Sequence, residues 1–283
     1  MELVKLSGEL TELIDNAKSA GKSVGFVPTM GALHQGHVSL VKKALDQNDF
    51  VVVSVFVNPL QFGEGEDFEQ YPRAIGVDAL LLQELEVDVL FAPTATEIYP
   101  AEKPVSKLSA GELGKVFEGA ARPDHFDGML TVVSRLFDLV RPDRAYFGQK
   151  DAQQVALVRR MLSEQIRSGF RSPITLIECE TVRDEHGLAL SSRNRFIPQE
   201  QLDAARSINL ALKAAASEPD RERMLAAARS VLSAEAKLDY LELVDADSFE
   251  VLHSPENKRA RLIIAVKLAG VRLIDNLVID RTA

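Results

Sequence analysis

Two histidines three residues apart, His34 and His37, stand in the decapeptide PTMGALHQGH (28–37), between a short apolar run and the start of a helical pattern. A helix N-terminus offers backbone N–H groups and a dipole that favour anions. Imidazole N–H groups aimed at the same spot would stabilise charge growing on a phosphate. The pair can equally cap the helix or hold a metal, and spacing alone leaves these readings open. Gly31 and Gly36 are spaced like the glycines of a phosphate loop. His37 and Val38, however, stand where a Walker motif needs Lys and Ser or Thr, which excludes that motif.

Three further sets carry polar chemistry. Asn58 and Gln61, in NPLQ (58–61), follow the longest apolar stretch. Two amides there can orient a hydroxyl or carboxylate, and Asn-Pro is also a plain turn former. In GQKDAQQ (148–154), Lys150 can neutralise phosphate and Asp151 can orient a ligand, the alternatives being an exposed Lys and an ordinary helix cap. In LSSRN (190–194), Ser191, Ser192 and Arg193 form a compact set of anion donors or a polar surface loop. No Ser-His-Asp or cysteine nucleophile motif accompanies them, so the donor set points to positioning and electrostatics rather than covalent catalysis.

The elements that must position these groups alternate. Strand-like runs occur at 23–28, 50–57, 87–92, 145–147 and 174–179, with helical patterns at 38–45, 74–85, 126–140 and 152–162. Residues 50–57 are apolar almost throughout, as in a strand covered on both faces of a parallel sheet. This order predicts a doubly wound α/β layer, with three of the four sets at the carboxyl ends of its strands, where open α/β sheets bind ligands. The pattern changes near 175–185: helices at 201–216 and 221–236 precede strands at 240–244, 262–266 and 271–279. Two domains are therefore expected, 1–178 and a smaller α+β domain at 179–283. Lys150 before that boundary and residues 191–193 after it can serve one anion only if the second domain folds over it. The acidic run at 64–69 reads as a solvated loop.

Composition narrows the class. Of 283 residues, 46% are hydrophobic and 27% charged, a globular mixture, and the net charge of −9 argues against a nucleic-acid binder. The longest apolar run falls far short of the ~18 residues a membrane span requires. The first residues, MELVK, lack the apolar core of a signal peptide, and one cysteine, Cys179, excludes an internal disulfide and an all-cysteine zinc site. A cytoplasmic protein without nucleic-acid or membrane partners is expected.

The combination of PTMGALHQGH (28–37), FVNPLQF (56–62), RPDHF (122–126), YFGQKD (146–151) and LSSRN (190–194) closely resembles the pantothenate synthetases, or pantoate–β-alanine ligases. The resemblance is collinear from about residue 20 to 195. It implies a nucleotidylyltransferase-type Rossmann domain, a C-terminal lid domain and a homodimer. It also implies a reaction in which pantoate and ATP give pantoyl adenylate and pyrophosphate, and β-alanine then releases pantothenate and AMP. In the family's pattern Met30, Gly31, Ala32, Leu33, His34, Gln35, Gly36 and His37 lie along ATP, with His37 as proton donor and His34, Lys150 and Arg193 as the other catalytic groups. Gly148, Gln149, Lys150, Asp151, Val182, Leu190, Ser191, Ser192 and Arg193 are the remaining ATP positions. Gln61 and Gln154 hold pantoate, Gln61 also serving β-alanine, with Asn58 beside them. Gln149 stands where Glu is common and Leu190 where Met is common. Mg²⁺ is expected to arrive on the triphosphate, since no all-protein cage is evident. Other adenylyl transferases of this fold would release a dinucleotide-like product, and a nucleotide-sensing module would bind ATP without pyrophosphate exchange. An NAD-dependent oxidoreductase is excluded by the lack of a Gly-x-Gly-x-x-Gly after a strand.

Overall fold

The computed structural model describes residues 1–63, 65, 66, 68–102, 104–256 and 259–281. Contacts divide the chain into two compact units, Met1–Gly148 with Leu157–Cys179, and Gln149–Ala156 with Glu180–Ala283.

The first unit is built on β1 (Glu2–Val4), β2 (Val24–Thr29), β3 (Phe50–Val55), β4 (Val89–Phe91), β5 (Arg144–Gly148) and β6 (Thr175–Cys179). These strands form one parallel sheet in the order β1-β4-β3-β2-β5-β6. Its helices are α1 (Ser7–Ser19), α2 (Gln35–Gln47), α3 (Ile75–Glu84), α4 (Ala95–Ile98), α5 (Glu118–Ala121) and α6 (His125–Val140). Helix α7 (Ala152–Arg167) contributes its later turns here, its first residues grouping with the second unit. Residues Val51, Val52 and Val53 are completely buried, as the apolar run predicts. From β2 the strand order runs through β3 and β4 on one side and restarts with β5 on the other, so the topological switch lies between β2 and β5.

Four elements go beyond the sequence reading, the single-turn helices α4 and α5 among them. Helix α1 buries Leu10, Ile14 and Ala17 on one stripe, and β1 adds only three residues to the sheet edge beside β4. Within the acidic run, Glu64 and Asp67 lie outside the described residues. Glu66 is no solvated carboxylate, for it forms a half-buried ion pair with Arg122 at 2.7 Å.

In the second unit, β7 (Lys237–Asp245), β8 (Arg259–Leu268) and β9 (Val271–Asp280) form an antiparallel sheet. One face packs through Leu262, Ile264, Val266, Leu273 and Ile279 against α8 (Leu202–Ala216) and α9 (Arg221–Val231). Helix α9 stops at Val231, short of the expected 236, and Ser233 N–H instead bonds Ser207 Oγ at 3.0 Å. Because Gln149–Ala156 belongs to this unit, Lys150 and residues 191–193 share one unit. Among the described residues, no helix is long and apolar enough to cross a membrane.

Candidate functional site

The loop after β2 is held by its own side chains and one distant carboxylate. Gly31 has φ +84°, and a Cβ there would meet Val55 Cγ1 at 2.9 Å and Asp78 Oδ2 at 3.0 Å, so both conformation and space require glycine. Asp78, buried on α3, accepts the Ala32 N–H at 3.0 Å and the Leu33 N–H at 2.8 Å. The Gly31 N–H bonds Thr29 Oγ1 at 3.1 Å. At the start of α2, His34 Nδ1 accepts the Gly36 N–H at 3.1 Å, and His37 Nδ1 accepts the His34 N–H at 3.3 Å, a capping box made of two imidazoles. Their rings lie 4.2 Å apart.

Both histidines therefore cap the helix, and the cap has a chemical consequence. An Nδ1 that accepts a backbone N–H carries no hydrogen, so this geometry assigns the neutral proton of each ring to Nε2. The main-chain donors of residues 31–34 and 36 are engaged within the protein. Among the described residues no group of three His, Cys, Asp or Glu side chains could hold a metal ion, so the metal reading of the pair has no third ligand. Cys179 is buried, which pushes its thiol up to about 11 and leaves it little thiolate at neutral pH.

Beyond β3 the chain makes a single tight turn, Pro59–Gln61. Asn58 is almost wholly buried, and its amide is fully used. Oδ1 accepts from Leu60 N–H at 3.2 Å and Tyr99 OH at 2.8 Å, while Nδ2 donates to Gln61 Oε1 at 3.1 Å and Gly128 O at 3.0 Å. Asn58 thus braces Gln61, whose Nε2 donates to Met30 Sδ at 3.0 Å and joins this turn to the histidine loop. Gly128 on α6 lets the helix approach the Leu60 carbonyl, where any Cβ would collide. Burial pushes the Tyr99 phenol well above its ordinary range. His125 Nδ1 lies 2.8 Å from the Gln61 carbonyl and Nε2 lies 3.0 Å from Arg122 NH1. The Arg122 guanidinium in turn holds the Glu66 carboxyl below the usual carboxylate range.

In the second unit, Gln149–Asp151 forms one turn before α7. The Lys150 side chain is 20% exposed, more sheltered than a surface lysine, and its Nζ lies 3.7 Å from Asp151 Oδ1. Gln154 is half-buried in the first turns of α7. Leu190 N–H bonds Val182 O at 2.9 Å, so these two positions are neighbours. Ser191 Oγ accepts the Arg193 N–H at 3.3 Å and caps the turn Ser192–Phe196. Leu190, Ser191, Ser192 and Arg193 are all half-buried. The structure thus gathers Met30–His37 positions with Asn58 and Gln61 in the first unit. Gln149, Lys150, Asp151 and Gln154 fall in the second unit, as do Val182 and 190–193, while Gly148 closes β5. Sequence reasoning missed Asp78, Tyr99 and Gly128. A lone carboxylate in the apolar stretch of α3 was a signal for the first, and nothing local marks the other two.

A family model described as pantoate-beta-alanine ligase matches residues 2–278. The pantothenate synthetase of Leifsonia xyli subsp. xyli is 48% identical over 271 residues, covering 94% of this chain and 92% of that protein. A crystal structure of the Thermus thermophilus enzyme superposes with a TM-score of 0.89 at 44% identity, covering 98% of this chain and 99% of that one. The Francisella tularensis pantoate-beta-alanine ligase, complexed with beta-gamma ATP and beta-alanine, gives a TM-score of 0.79 at 36% identity, covering 98% of this chain and 97% of that one.

Proposed function

The chain belongs to the pantoate–β-alanine ligase family, and from that premise we propose how its residues carry the ligation of pantoate to β-alanine with ATP as the driving co-substrate. The pantoate carboxylate attacks the α-phosphorus of ATP and pyrophosphate leaves. The β-alanine amine then attacks the acyl carbonyl of the adenylate and AMP leaves. Such displacement is driven by alignment and by charge stabilisation on phosphate oxygens, which matches a donor-rich site without a protein nucleophile.

The observation that carries this reading is the double imidazole cap. Because both Nδ1 atoms accept main-chain N–H groups, His34 and His37 present Nε2–H donors, suited to phosphate oxygens, and His37 is the proton donor. Residues 30–37 lie along the nucleotide. Gly148, Gln149, Lys150, Asp151, Val182 and 190–193 complete the ATP contacts, with Lys150 and Arg193 as the principal cations. Gln61 and Gln154 hold pantoate, Gln61 also meeting β-alanine, and Asn58 acts on Gln61 rather than on substrate. The beta-gamma ATP and beta-alanine complexed in the Francisella structure support the two substrate assignments. Mg²⁺ would neutralise the triphosphate, held by its oxygens and water, since the described residues contain no protein cage. A cytoplasmic homodimer belongs to the same reading.

Exchange of labelled pyrophosphate into ATP tests the scheme. Exchange should require pantoate and proceed without β-alanine. Strict dependence on β-alanine would overturn the two-step course. Gln61→Ala should raise the KM for pantoate about tenfold with little change in ATP binding, as expected for loss of a hydrogen bond to a buried ligand group.

A further inference from the structure

We propose that the dipeptide Asp275-Asn276 on β9 is a positioning pair that sets the two phosphate-directed segments of the second unit from opposite faces of one strand. The proposal rests on the reading of Lys150 as a phosphate contact. Successive residues of a strand point to opposite faces. Asp275 has the parity of Leu273 and Ile279, which face the α8 and α9 core, and Asn276 has the other. Both are nearly inaccessible, as is Arg261 on the neighbouring strand.

Asn276 captures two successive carbonyls with one amide. Its Nδ2 donates to Gln149 O at 2.9 Å and Lys150 O at 3.0 Å, while Oδ1 accepts from Arg261 NH1 at 2.8 Å. With the amide plane fixed by Arg261, the turn at 149–150 has one register, and the direction in which the Lys150 side chain leaves the backbone is fixed with it. An Asp at this position would set a carboxylate against two carbonyl dipoles, and a Leu would take the Asn276 donor from both carbonyls, leaving Gln149 O only the longer bond from Arg261 NH1 at 3.3 Å. On the other face, Asp275 receives Arg183 in a bidentate pair at 2.6 and 2.9 Å. Arg183 also donates to Gly187 O at 3.0 Å and bridges to Ala189, the residue before the proposed 190–193 contacts. One peptide unit of β9 therefore links both segments.

The test is a double-mutant cycle between Asn276→Ala and Lys150→Ala, read by calorimetric ATP binding and by pantoate-dependent pyrophosphate exchange, with thermal melting in parallel. Asn276→Ala should weaken ATP use about tenfold and leave the KM for pantoate within about twofold, while in the Lys150→Ala background it should cost nothing further. Asn276→Ser, which keeps one donor, should be intermediate and stands in should the alanine variant not fold. Full multiplicative effects of Asn276 and Lys150, or an equal loss of ATP and pantoate use, would overturn the positioning role. An impaired Lys150→Ala beside an unimpaired Asn276→Ala would overturn it while sparing the reading of Lys150. An unimpaired Lys150→Ala would instead remove that reading.

Discussion

The histidine loop of the first unit and the lysine turn of the second present comparable polar groups but are held in different ways. His34 and His37 cap main-chain groups two and three residues away, so the rings that present the donors also fix the backbone that carries them. The turn at Gln149 and Lys150 is fixed by Asn276, 127 and 126 positions further on. Arg183 is fixed by Asp275, 92 positions away. Apart from Asp78, whose carboxylate holds the Ala32 and Leu33 N–H groups, a self-capped loop tolerates change elsewhere but not in its own histidines. A turn braced from a distant strand tolerates local change but fails with the brace.

Four substitutions break or sharpen this contrast. Asp275→Ala removes the carboxylate facing Arg183, whose side chain is only 21% exposed. It should cost about 3 kcal/mol in urea unfolding, the low end for an uncompensated buried charge. A loss below about 1 kcal/mol would mean that the distant brace is ornamental. Asp78→Ala strips the acceptor from the Ala32 and Leu33 N–H groups and should cost about 2–3 kcal/mol, with Asp78→Asn recovering part of it. Unchanged stability and exchange would show the histidine caps to be sufficient alone. Tyr99→Phe removes one of the two donors to Asn58 Oδ1. It should cost about 1 kcal/mol and raise the KM for pantoate but not for ATP; an ATP effect would detach Tyr99 from Gln61. The smallest effect concerns Glu66. Arg122 lowers its pKa on folding, so the pair's stabilisation is present above the ordinary glutamate value of 4.5 and is lost as pH falls through the folded value. Glu66→Gln should flatten the acid limb of a stability-against-pH curve, and an unaltered limb would show that the pair adds nothing.

Local physics explains what could be read from the chain. The unbroken run Val51, Val52 and Val53 announced a strand buried on both faces, and PTMGALHQGH announced a strand end, a loop and a helix start. Residues 271–279 announced β9, yet the pair Asp275-Asn276 within it passed as ordinary strand residues. A polar dipeptide in an apolar alternation was the available sign, but its partners lie about a hundred positions away, where periodicity carries no information. Helix α1 went unread because its apolar stripe is narrow and Leu6, at its N-cap, offers no side-chain bond. Strand β1 has only three residues, too few for alternation to register. Asn58 was legible as a functional amide, but that its four hydrogen-bonding positions are taken by Tyr99, Leu60, Gln61 and Gly128 depends on tertiary contacts. Gln149–Ala156 reads locally as a strand end entering the helix after β5, which hid its membership of the second unit.

The brace on β9 also has a meaning in time. A chain emerging from the ribosome makes β2, β3 and β4 within its first hundred residues, and domains generally fold from the N-terminus during synthesis. The histidine loop and its Asp78 carboxylate can be complete at that stage. The lysine turn leaves the exit tunnel early too, yet its two carbonyls wait for an amide that is translated more than a hundred residues later. A nascent chain halted before residue 275 would carry a finished first half of the donor set and an unset second half, so ATP-dependent chemistry should switch on only when β9 is made.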